Sequence, residues 1–256
     1  MSKIIGLYRR ELSYYFQSPV AYAVITLFLL LSGYFFYNLL GYFNLESMRA
    51  MQSPMQSRML SLTSSVLAPL FANMSSVLLL ILPLLTMRLF AEERRSGSAE
   101  LLFTYPVSDT QVILAKFLAA VTVLAVLLAM TVPFPALLYY FANPEPGPIF
   151  SGYLGLFLMG LSFVAMGLFF SALSESQLVA GVLTFGCALL FLVIGWITPF
   201  VGGSAAAVLS QLSMVRHLDG MARGVIDTND LVFYFNLTVF FLFLCARVLD
   251  SARWRS

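Results

Sequence analysis

The chain has 256 residues, of which 60% are apolar and only 10% charged, against roughly 25% charged in ordinary soluble domains. It cannot cover itself with polar surface in water, and a net charge of +2 offers no basic surplus for nucleic acid. Cys187 and Cys245 both fall in long apolar runs, which argues against a disulfide framework or a thiolate metal site.

At the start of the chain, Ile4, Tyr8, Leu12, Tyr15 and Phe16 recur at helical spacing, with Lys3, Arg10, Ser13 and Gln17 on another face. This pattern predicts an amphipathic interfacial helix along the inner leaflet; a frayed beginning of the first span is the alternative. Pro19 closes it, because proline lacks an amide donor and disfavours helix in the residue before it. The apolar run 20–40 is longer than a signal-peptide core and has no small-x-small cleavage pattern after it. It reads as a first membrane span. About 20 apolar residues cross a hydrocarbon core roughly 30 Å thick, and five more runs reach that length: 66–87, 117–141, 149–173, 178–201 and 231–249. Each must be helical, since a lone strand would leave its backbone groups unsatisfied in lipid. The expected fold is all-α and polytopic, one transmembrane domain over residues 1–256.

Within these spans, Asn73, Ser75 and Ser76 either line a conduit or bond to neighbouring helices. The link between spans two and three orders its charges first (Glu92, Glu93, Arg94, Arg95), then Gly97, then an amphipathic turn at Glu100, Leu101 and Leu102 ended by Pro106. Ser108 and Gln111 predict a capping box that starts the third helix. On composition alone the link is a solvated charge run. Pro133 and Pro135 predict a bend in span three. Gly160, Gly167 and Ser171 share a face of span four and predict close helix approach.

Ten of the fourteen basic residues lie at the two termini and in the link between spans two and three, and four lie on the other side. By the positive-inside rule both termini are cytoplasmic. Tyr34, Tyr37, Tyr42 and Phe43, and again Tyr139, Tyr140 and Phe141, supply aromatic belts at the opposite face.

A phosphate-binding loop needs a glycine directly before its lysine, and Lys3 and Lys116, the only lysines, have none. His217 is the sole histidine, which leaves no histidine cluster for zinc and no hydrolase triad. The carboxylates lie in loops or at span ends rather than in an intramembrane relay. The reading is a non-enzyme with no cofactor of its own, driven by a partner.

The run E-E-R-R-S-G-S-A-E-L-L from Glu92 to Leu102, with P-V-S at residues 106–108 and Lys116 beyond, resembles the cytoplasmic signature of type 2 ABC transporter permeases; Ser98 stands where that family usually has threonine. The resemblance implies that Glu92, Glu93, Arg94, Gly97, Glu100, Leu101, Leu102 and Pro106 form the coupling segment that docks into an ABC ATPase subunit. That subunit would carry the ATP and magnesium. A second likeness, in Arg216-His217-Leu218-Asp219, Ala222 to Asp227 and Asp230-Leu231, is to the GldF-type permeases associated with gliding-motility transporters. It extends to R-R-E-L at residues 9–12 and to the six-span layout, with H-L at residues 217–218 in place of the usual H-F. It implies a GldG-like membrane partner, a bacterial inner-membrane location, a homodimer or heterodimer of permease chains in the bilayer, and short re-entrant helices between spans five and six. His217, Arg223, Gly224 and Asp227 are then candidates for an outer gate or partner contact; a locally capped outer turn is the alternative. A stand-alone channel or ion-coupled carrier, and a structural membrane anchor, are the rival functional classes.

Overall fold

The computed structural model describes residues 2–50, 61–95, 108–142 and 144–253. Most of those residues are helical, with no strand among them, and six of their helical stretches are long and apolar enough to cross a membrane. The protein is a multi-pass membrane protein, and the six expected spans all appear, with shifted ends.

Helix α1 (Ser2–Gln17) ends at a bend on Ser18, and α2 (Pro19–Ala50) begins at the proline. The expected polar face of α1 (Arg10, Ser13, Gln17) is exposed, and Tyr8, Leu12 and Tyr15 turn inward. Contrary to a first span ending at residue 40, α2 continues to Ala50. At about 1.5 Å per residue its 32 residues exceed the hydrocarbon thickness by several turns; Leu45, Glu46 and Met48 are good helix formers and nothing there interrupts the backbone.

Span two opens with a π-helical turn, Thr63–Leu67, just ahead of Pro69, which has no amide to donate, and continues as α3 (Ala68–Thr86). After a break at Met87 comes α4 (Arg88–Arg95). Span three is α5 (Asp109–Ala129) and α6 (Pro133–Ala142). The predicted bend is a full interruption: Pro133 and Pro135 cannot donate, and a turn at residues 130–132 replaces the helical bonds, with Thr131 N on Leu128 O and Phe134 N on Thr131 O, both at 3.0 Å. The Thr131 hydroxyl then meets that of Tyr153 at 3.0 Å. The predicted capping box is not formed. Ser108 is the N-cap residue of α5, but its hydroxyl pairs with Thr110 at 3.1 Å, and the Gln111 side-chain oxygen has no partner among the described residues.

Helix α7 (Pro146–Leu173) is the fourth span and the hub of the bundle, packed by α3, α5, α8 (Gln177–Ile197) and α11 (Thr228–Arg253). Small residues permit this: a Cβ on Gly167 would overlap the Thr86 side chain, and one on Gly160 would strike Leu124. The glycines therefore serve packing. In α3 the Ser75 and Ser76 hydroxyls both turn back to the carbonyl of Ala72, at 2.7 and 3.2 Å, rather than reaching another helix.

Helix α8 stops at Ile197, earlier than expected, in a 3₁₀ turn Thr198–Phe200. Two short helices follow, α9 (Ser204–Leu212) and α10 (Met214–Ala222). They fold back onto the bundle. Ser213 comes so close to α8 that a Cβ on Gly195 would meet its hydroxyl, and the Met214 carbonyl accepts from the Tyr234 hydroxyl at 2.9 Å, inside the last span.

Candidate functional site

The end of the bundle that holds α1, α4 and the start of α5 carries a charged cluster. Lys116, one of only two lysines, is 2% exposed. Its Nζ donates to Glu93 Oε1 at 2.9 Å and to Glu11 Oε1 at 3.2 Å, and it lies 5.1 Å from the centre of the Phe90 ring. A buried ammonium is tolerable only with such compensation. The three ionic groups belong to α1, α4 and α5, so one cation joins three elements. Around it, the Tyr14 hydroxyl donates to Glu92 at 2.6 Å, the Tyr15 hydroxyl to the Leu85 carbonyl at 3.1 Å, and Tyr8 meets Thr122 at 2.9 Å. Burial pushes the Tyr15 hydroxyl far above the ordinary phenol range, and it stays a donor. The Tyr14 hydroxyl is raised too, first by its bond to Glu92 and then by burial.

The break at Met87 is held from outside. The Ser171 hydroxyl of α7 donates to the Met87 carbonyl at 2.9 Å and accepts from the amides of Phe90 at 2.9 Å and Ala91 at 3.1 Å. One side chain thus satisfies donors and an acceptor that the interrupted helix orphans. Helix α4 starts where span four allows.

At the other end, His217 is nearly buried between α10 and α11. Its Nδ1 lies 2.6 Å from Asp230 Oδ1, its Nε2 lies 2.9 Å from the Gln211 carbonyl, and its ring stacks on Phe233 at 4.2 Å. Arg223 pairs with Asp219 in an exposed contact of 3.0 Å one helical turn away. Gly224 has φ +97°, a conformation L side chains avoid, and sits against Pro148. Asp227 Oδ1 accepts from the Asn229 amide at 3.0 Å at the start of α11. Arg223 and Asp227 have local structural partners, whereas Gly224 meets α7 at Pro148 and His217 ties α10 to α11.

With both ends described, comparison with known families decides the class. A model of the ABC-2 family transporter proteins matches residues 43–244, well over half the chain. The protein belongs to that family. No curated protein matches it. As an ABC-2 family member it is the membrane component of a transporter, a permease subunit.

In this permease the structure brings Glu92 and Glu93 into the Lys116 cluster and places Arg94 on the last turn of α4. Gly97, Glu100, Leu101, Leu102 and Pro106 lie outside the described residues. Three participants escaped the sequence reading. Glu11 sits between Tyr8 and Tyr15 on the apolar stripe of α1, an acid on the wrong face, and that misplacement was its signal. Ser171 resembled any small packing residue. Asp230 was visible only as part of a motif, because the contact that matters joins two helices across a turn, thirteen residues apart in sequence.

Proposed function

We propose that this permease subunit serves a bacterial type 2 ABC transporter of the inner membrane, converting nucleotide-driven movement of a separate ATPase into rearrangement of the helix bundle. Both termini and the segment from Arg88 to Ser108 face the cytoplasm in this reading, and Glu92 to Pro106 form the ATPase-docking segment. One observation carries it: Lys116 ties α4, the start of that segment, to α1 and α5 through paired charges at 2.9 and 3.2 Å. A push on α4 is thereby shared with the N-terminal helix and with the third span. The far-end turn around His217, Arg223, Gly224 and Asp227 is the proposed outer gate or partner contact. The GldF likeness further suggests a GldG-like membrane partner, with a permease pair of like or unlike chains.

The test is co-purification with a co-expressed, tagged ATPase subunit. Wild type should be retained and Glu100→Arg lost, while both insert in the membrane equally. Equal retention of the two chains would remove the docking segment from the mechanism. Export and transmission of force without a passing substrate are both consistent with this role. A substrate-dependent ATPase rate in reconstituted vesicles supports export. Nucleotide-driven movement of an outer partner without such a rate supports transmission.

A further inference from the structure

We propose that the groove between α3 and α8 binds an anionic phospholipid of the surrounding leaflet, with Arg95 holding the headgroup phosphate. The groove has a volume of about 660 Å³, within the roughly 300–1,000 Å³ of pockets that take whole small molecules. Pro83 of α3 and Gly181 of α8 are buried and form its floor, and the exposed side chains of Leu80, Leu84, Leu178 and Val182 form its rims. The two helices approach closely at the floor, where a Cβ on Gly181 would meet the Met87 sulfur at 3.4 Å.

One end of the groove is polar and the rest is not. Arg95, the last residue of α4, lines that end with Ser176 and Gln177, and no carboxylate lines the groove among the described residues. The Arg95 side chain is exposed and forms no ion pair with a carboxylate of those residues. Nearby acids are engaged or turned elsewhere. Glu92 accepts from Tyr14, Glu93 is held by Lys116, and Glu175, next to Ser176 in the chain, is not part of the lining. A guanidinium fork matches the oxygens of a phosphate, and Ser176 and Gln177 add neutral donors beside it. A choline or ethanolamine cation would find no acid in this lining. Charge therefore favours a headgroup that is negative overall.

Dimensions favour a lipid of one leaflet over a soluble anion. From Gln177 to Phe185 the groove follows α8 for about 12 Å, at 1.5 Å per residue, close to the roughly 15 Å of hydrocarbon in one leaflet. Arg95 shares the lining with Met87, where the apolar run of span two ends, which puts it at the edge of the hydrocarbon layer, where lipid phosphates lie. A phosphate held there leaves its acyl chains along Leu178, Val182 and Phe185. Binding requires only that the bundle sit in a bilayer. Because it is measured on the lone chain, a permease that docks no ATPase can still hold the lipid, and one that loses the lipid can still dock.

The experiment uses the full chain, purified in detergent, stripped of lipid and supplied with phosphatidylglycerol or phosphatidylcholine of the same acyl chains. Native mass spectrometry should find phosphatidylglycerol retained about tenfold better, the scale of one charged hydrogen bond. Arg95→Gln should lose that preference, and the remote variant Arg223→Gln should keep it. Val182→Trp fills the groove while leaving Arg95 in place, and should lower phosphatidylglycerol retention at least as far as Arg95→Gln does. Both altered positions are exposed, so unfolding midpoints in lipid-free detergent should match wild type. Equal retention of the two lipids by wild type, or a preference that survives Arg95→Gln, would overturn the site. Unchanged retention in Val182→Trp would also overturn it, since the headgroup would then bind a surface charge without the groove. A second copy of the chain is the rival occupant. Val182→Cys, with Cys187→Ala and Cys245→Ala, should stay monomeric on oxidation in native membranes; a disulfide-linked dimer would put that copy in the groove in place of the lipid.

Discussion

The hydroxyl of Ser171, near the end of the fourth span, accepts from the amide of Phe90 at 2.9 Å while donating to the carbonyl of Met87 at the same distance. Helix α4 is therefore capped by a residue more than eighty positions away, on α7. Ser171→Ala should strand two amides and a carbonyl in a buried setting, at a cost of about 1–3 kcal/mol. Thermal unfolding in detergent would show it as a lower midpoint. An unchanged midpoint would mean that the break at Met87 relaxes into continuous helix when the hydroxyl is absent.

Lys116 offers a sharper test, because its partners differ in what their loss leaves behind. Lys116→Met removes the cation that Glu11 and Glu93 share and should cost about 3–5 kcal/mol, as breaking a buried ion pair does. The triple variant Lys116→Met, Glu11→Gln, Glu93→Gln should recover much of that loss, since a neutral cluster has no charge to compensate. Chemical denaturation of the three single variants and the triple variant measures the coupling directly. Additive losses would show that the three groups are neighbours without being a unit.

Much of this architecture was readable from hydropathy alone, because lipid permits few backbone solutions and each run of twenty apolar residues has one outcome. The six spans, the separate α1, the interruption at Pro133 and the tight approach of α7 all follow from local sequence. The junctions do not. Helix α2 runs on to Ala50 because polar residues that end a membrane span need not end a helix. Ser108 occupies the right cap position, yet its hydroxyl turns to Thr110. The pairing of Glu11 with Lys116 was not legible, because the bond between them crosses 105 residues, a separation that no periodicity records.

At the opposite end, His217 links α10 to α11 through Asp230 and to α9 through the Gln211 carbonyl. His217→Ala should release the two short helices while leaving the spans folded. Hydrogen exchange should rise across residues 204–222 and stay unchanged in α4 and α5. Asp230→Ala should give the same pattern, because it removes the other half of the contact. A rise spread over the whole chain would instead make the pair a general stability element.

The fourth span sets the last expectation. A methyl group on Gly167 would occupy the space of the Thr86 side chain, and both backbones are fixed by buried neighbours, Leu82 and Leu85 on one side and Val164 and Leu168 on the other. Gly167→Ala should therefore cost about 1–3 kcal/mol through overpacking, and Gly167→Leu should prevent a stable fold. Thr86→Gly in the Gly167→Ala background vacates that space and should restore most of the loss, even though it removes the bond from the Thr86 hydroxyl to the Leu82 carbonyl at 2.8 Å. Thr86→Ser, which keeps the hydroxyl, should rescue far less, because the overlapping atoms are the Thr86 oxygen and Cβ themselves. Unfolding midpoints of the four variants would separate the two accounts. Equal rescue by glycine and serine would show that the helices move apart, and that the close contact of α3 with α7 is not what holds the bundle at this level.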